Sequence, residues 1–167
     1  PLRAQMMPPV RCFAPVAPVK TFGRGEGRRV YDIGVNIAGW ARVRVSGPEG
    51  ARVLVEYCEM PGDSELVPDI HPSKLDFDLA DADYASFYDK TINIRQQNGY
   101  ILKGAGTETF ECRFSYKGFR FVRVTADPGV RIERVEGIPV HSDVASAGSF
   151  RCSDETVNRL QEMSRRT

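Results

Sequence analysis

Residues 31–59 read YDIGVNIAGWARVRVSGPEGARVLVEYCE, and this stretch decides the fold. From Ala41 to Val45 apolar and basic residues alternate, with Ala41, Val43 and Val45 on one side and Arg42 and Arg44 on the other. Such alternation is the mark of a strand with one wet face. Gly47-Pro48-Glu49-Gly50 interrupts it with turn residues, and it resumes as Ala51, Val53, Val55 and Tyr57 against Arg52, Leu54 and Glu56. Two such runs joined by a four-residue Gly/Pro turn predict an antiparallel hairpin.

Outward from this stretch the pattern repeats. Arg29 to Ile33 reads as a strand, and Tyr100 to Lys103 as another, turned by Gly104-Ala105-Gly106. Thr109 to Tyr116 alternates, with Phe110, Cys112, Phe114 and Tyr116 expected inward and Glu111, Arg113 and Ser115 outward. Phe119 to Val124 is apolar on both parities, which predicts a strand in the middle of its sheet and covered on both sides. Ala126-Asp127-Pro128-Gly129 turns the chain into a last strand, Ile132 to Val140. Strands at this spacing with no amphipathic helix between them predict an all-β fold, an antiparallel β-sandwich or jelly roll.

Three segments depart from the pattern. Residues 1–18 hold five prolines, which exclude a helix and predict an extended linker with a short strand at Val10 to Phe13. Pro61 to Asp89 is rich in aspartate, lacks strand periodicity and is longer than loops inside compact domains usually are, so it reads as a long, partly ordered loop. At the end of the sequence Ser153 before Asp154-Glu155, followed by Val157, Leu160 and Met163 at helical spacing, predicts a short helix capped by Ser153.

Composition excludes several classes. A formal net charge of +1 over 167 residues offers no field for nucleic acid or an anionic membrane. No apolar run approaches the roughly 20 residues of a membrane-spanning helix. The four cysteines, Cys12, Cys58, Cys112 and Cys152, are scattered and never form a CxxC pair, so they read as reduced, structural thiols. Cytoplasmic and periplasmic locations are both compatible with that reading. No nucleophile elbow, phosphate-binding loop, dinucleotide fingerprint or zinc motif occurs.

YDIGVN with Gly39-Trp40 and the strands ending at Glu59, then Tyr100-Ile101-Leu102-Lys103-Gly104, then FSYKGFRF at residues 114–121, resemble three signatures of the concanavalin-like β-sandwich domain of bacterial α-L-rhamnosidases, in the same order. The resemblance implies residues 19–148 as the sandwich, preceded by a linker from another β-domain. It also implies that residues 149–167, containing GSFRCSDETVNRL, begin the helical catalytic barrel. The two carboxylic groups of an inverting glycosidase stand about 6.5–9.5 Å apart. In this family they are implied to lie in the barrel, and no residue here matches that motif, so no catalytic residue is assigned. The expected partners are the helical catalytic domain and a rhamnose-containing carbohydrate.

A scaffold of this kind would brace the barrel and perform no chemistry alone. Alternative readings are an autonomous carbohydrate-binding module and a protein-interaction sandwich without sugar contact. Candidate sugar contacts are Trp40, whose indole suits stacking on a pyranose, and His71, Asp76, Asp78, Tyr84 and Tyr88 of the long loop. Trp40 reads equally as a residue buried under a covering loop or neighbouring domain, since a bulge after Gly39 would reset its parity. Asp32 and Asn36 flank Gly34 as ligand or metal contacts or, more simply, as turn-stabilising groups. Asp76, Asp78, Asp81 and Asp83 invite calcium, although the EF-hand glycine and glutamate are missing and a solvated acidic surface explains them as well.

Overall fold

The computed structural model describes Ala4 and residues 6–23, 27–59 and 96–166. Two compact units divide the chain, one formed by Cys12–His141 and the other by Pro1–Arg11 with Ser142–Thr167. The strands are β1 Val10–Cys12, β2 Lys20–Phe22, β3 Arg28–Ser46, β4 Arg52–Cys58, β5 Gln97–Ile101, β6 Thr107–Glu111, β7 Lys117–Ala126 and β8 Arg131–Ser142, followed by helix α1, Glu155–Arg166.

β3 builds the larger unit. Its first half pairs with β2 on one side and β7 on the other, with Tyr31 opposite both Thr21 and Val122. The register against β7 shifts between Asp32 and Ile37. From Gly39 onward β3 pairs instead with β8, and from Arg42 also with β6. The strands thus form one antiparallel sheet that curls about β3, with β2 and β7 on the first half of that strand and β6 and β8 on the second, the sandwich type of fold the alternation predicts. The segment expected as a loop around Gly34 is an irregularity inside a continuous strand, because a register shift bends a strand without ending its pairing. Gly39 sits at the crossing with φ +150°, and a Cβ there would lie 2.0 Å from the Ile138 carbonyl oxygen. Only glycine fits.

The hairpin expected from residues 41–57 does not form. β4 pairs with β5 and β7, while the second half of β3 pairs with β6 and β8. Alternation fixes which side of each strand is apolar, and that assignment holds: Ala41, Val43, Val45, Ala51, Val53, Val55 and Tyr57 all lie in one buried cluster. It does not fix the partner. The 47–50 turn is an arch carrying the chain from one flank of the curled sheet to the other, and the two apolar sides meet in one core. Ala41 N–H donates to the Tyr57 hydroxyl at 3.3 Å across that core. Leu102 plugs the arch, exchanging backbone hydrogen bonds of 2.9 Å with Gly50 and Ala51. Each fully buried aliphatic or aromatic side chain of such a cluster contributes about 1.5–3 kcal/mol.

β7 is central, between β3 and β4, as its two apolar parities predict. Phe119, Phe121, Val122 and Val124 are all buried. The run Thr109 to Tyr116 differs from expectation. β6 stops at Glu111, and the Ser115 N–H closes a turn on the Cys112 carbonyl at 3.2 Å. Phe110 packs on the core, but Phe114 and Tyr116 are exposed. In the smaller unit α1 is capped one residue later than expected. Asp154 Oδ1 accepts from the Thr156 N–H at 2.8 Å, leaving Ser153 outside the cap.

Candidate functional site

The first and third of the sequence signatures meet at the bend of β3. Asp32 of YDIG accepts two hydrogen bonds from Arg120 of KGFRF, Nε to Oδ1 and Nη2 to Oδ2, each 2.8 Å. Asp32 Oδ1 also accepts from the Gly34 N–H at 2.7 Å. The simpler of the two readings of Asp32 thus describes its contacts. Asn36 Nδ2 donates to Glu59 Oε1 at 3.4 Å, and a Cβ on Gly118 would lie 3.1 Å from that same oxygen. Burial alone would raise the Asp32 carboxyl, but the Arg120 and Gly34 hydrogen bonds outweigh it and hold the group below the usual aspartate range. A carboxylate fixed this way by a bidentate guanidinium is a brace, not a free base.

The other enclosed carboxylates are engaged too. Glu56 and Arg123 face each other across β4 and β7, both buried, with contacts of 2.5 and 2.8 Å. Glu108 accepts from the Tyr100 hydroxyl at 2.6 Å and from the Lys103 and Gly104 N–H groups at 3.0 Å, which lowers its proton affinity, the Tyr100 hydrogen bond most of all. Glu111 binds Arg42 Nε at 2.6 Å and the Trp40 indole N–H at 3.2 Å. Glu136 pairs with Arg134 at 2.7 Å. Among the described residues no cluster of three or more His, Cys, Asp or Glu side chains is arranged to hold a metal ion.

Trp40 shares Glu111 with Arg42, so it keeps the outer parity that strict alternation gives it, and no bulge resets it. It is nevertheless buried, in a second small apolar cluster with Ile138 and Val140. A ring enclosed in this way offers no open face to a pyranose. The other sugar candidates, His71, Asp76, Asp78, Tyr84 and Tyr88, and the aspartates considered for calcium lie outside the described residues. None of the four cysteines forms a disulfide, and Cys58 is fully buried.

Sequence patterning missed the Asp32–Arg120 and Glu56–Arg123 pairs. Their partners are 88 and 67 residues apart, and the only local signal was a charged residue inside an otherwise apolar strand. Such a residue at a central position must find a counter-charge.

These features define an antiparallel sandwich module whose enclosed acids are committed to its own architecture. The chain belongs to the bacterial α-L-rhamnosidase concanavalin-like domain family, whose model matches residues 23–141. It is 30% identical to an α-L-rhamnosidase of Formosa agariphila over 169 residues, covering 99% of this chain and 16% of that protein. The solved α-L-rhamnosidase of Dictyoglumus thermophilum superimposes with a TM-score of 0.71 at 30% identity, covering 95% of this chain and 16% of the other. That of Streptomyces avermitilis, solved with L-rhamnose, gives 0.70 at 29% identity, covering 95% and 14%. The chain therefore spans about one-sixth of the length of the α-L-rhamnosidases it matches.

Proposed function

We propose that this chain is the non-catalytic sandwich of an α-L-rhamnosidase that hydrolyses terminal α-L-rhamnosides, bracing the helical catalytic domain of the same polypeptide. The observation that carries this reading is the fate of the enclosed carboxylates: Asp32, Glu56, Glu108, Glu111 and Glu136 each serve a neighbour of the sandwich. Glycoside hydrolysis needs one carboxylic acid able to give up its proton and a second carboxylate about 6.5–9.5 Å away for inversion or about 5–5.5 Å for retention. Residues locked by arginine or by backbone N–H groups suit neither role. Family membership supplies the substrate class.

The experiment is hydrolysis of p-nitrophenyl α-L-rhamnopyranoside by the natural full-length polypeptide and by residues 1–167. Turnover by the first and none by the second is the expected result. Turnover by residues 1–167 would refute the reading. His71, Asp76, Asp78, Tyr84 and Tyr88 remain its candidate sugar contacts, and the loop aspartates its candidate calcium ligands. The carbohydrate-binding-module alternative draws on the L-rhamnose bound to the Streptomyces relative. Saturable binding of L-rhamnose to residues 1–167 in a calorimetric titration would favour it.

A further inference from the structure

Phe114 is fully exposed, at 105% of a free side chain, whereas Phe119 and Phe121 a few residues later are buried to 0% and 1%. The loop that carries it, 112–116, is fixed by contacts of the residues before and after the ring. Cys112 and Ser115 close its turn. Lys117, itself only 5% exposed, donates from Nζ to the Ser115 carbonyl at 3.3 Å and to the Ser115 hydroxyl. Arg113 reaches Glu111 at 3.5 Å, and the Tyr116 hydroxyl donates to the Val140 carbonyl at 2.8 Å, holding its half-exposed ring beside the loop. A slack loop would fold such a ring down onto the protein. This one holds it out in water, forgoing the roughly 1.5–3 kcal/mol that burial of the ring supplies.

We propose that Phe114 is the anchor by which this sandwich docks into an apolar pocket on the rest of the α-L-rhamnosidase polypeptide. The proposal rests on the functional reading above and names the contact that reading leaves open. A rigid aromatic ring loses little freedom on association, which is the character of an interface hot spot. The ring has no polar handle, and the polar groups nearest to it in sequence, on Arg113, Ser115 and Tyr116, are already engaged within the sandwich. A sugar needs hydroxyl partners beside the stacking ring, whereas a dry protein pocket needs none. More than four-fifths of the length of the matched α-L-rhamnosidases lies outside the aligned segment, so an intramolecular surface for such an anchor is available in them.

The test uses the natural full-length polypeptide, unsubstituted and as Phe114→Ser and Ile101→Ser, the latter on another exposed apolar side chain. Amide hydrogen exchange is followed over residues 112–117, and thermal unfolding is recorded. Phe114→Ser is expected to speed exchange of the loop about tenfold and to lower the midpoint, with Ile101→Ser leaving both unchanged. Equal behaviour of Phe114→Ser and the unsubstituted protein overturns the anchor while leaving the scaffold reading intact. A full-length polypeptide that lacks a helical domain and rhamnosidase activity overturns both. Protection of the loop by added L-rhamnose that is lost in Phe114→Ser overturns the proposal in favour of a sugar platform.

Discussion

Arg120 grips Asp32 with two parallel hydrogen bonds of 2.8 Å, tying the YDIG and KGFRF signatures of the sequence into one contact. Neither signature explains itself alone. The aspartate holds the turn at Gly34 and the arginine at the same time, so the bend of β3 is pinned to β7 by one side chain.

Asp32→Asn keeps the shape but removes the charge. The Asp32 carboxyl has its proton affinity lowered in the folded state, so its stabilisation is present above the usual aspartate value and fades as pH falls through the lower folded value. At pH 7 the variant should lose about 2 kcal/mol, within the range for hydrogen bonds to charged groups. The gap should close well below pH about 3.9, the unfolded aspartate value. Urea titrations across pH measure this, and a gap that persists at pH 2 would contradict it.

Glu56 and Arg123 are both buried, so removing one strands the other. Arg123→Met is expected to cost about 3–5 kcal/mol, and the double replacement Glu56→Leu with Arg123→Met less than either single change. A double-mutant cycle by chemical denaturation settles the sign. Additive losses would mean that the pair is not coupled.

Gly39→Ala should prevent folding or cost at least about 3 kcal/mol, because its Cβ meets the Ile138 carbonyl oxygen at 2.0 Å. Gly50→Ala is the control. It has φ +80° with nothing within 4 Å, so backbone strain alone should cost about 1–2 kcal/mol. Circular dichroism melts of the two variants compare them, and similar losses would remove the role given to the crossing.

Glu108→Gln should loosen the 102–106 turn without unfolding the sandwich, since the amides of Lys103 and Gly104 donate to the carboxylate. With the folded proton affinity lowered, protection of these amides should be complete at neutral pH and lost in acid as the carboxylate titrates. Exchange mass spectrometry over this turn reports it. Unchanged protection in the variant would show that the carboxylate does not hold the loop.

Side-chain alternation made the fold class and the core legible. Val43, Val45, Val53, Val55 and Tyr57 lie where their parity puts them, and β7 is central as its two apolar faces require. Partner choice was not legible, since an arch and a hairpin use the same Gly/Pro turn and the same alternation. Alternation also carried Phe114 inward on paper, because nothing in the apolar-polar pattern of residues 112–116 announces the turn that ends β6. For Trp40, parity gave the correct side of the sheet but not the local cover supplied with Ile138 and Val140. Sites that depend on contacts between distant residues stayed hidden, as Asp32 and Arg120 did.

Because β3 pairs with β7 along its first half and with β8 along its second, neither flank of the sheet can peel away while the other stays intact. Breaking the ladder on either flank releases the strand that the opposite flank needs, so the described strands are expected to melt in a single cooperative step.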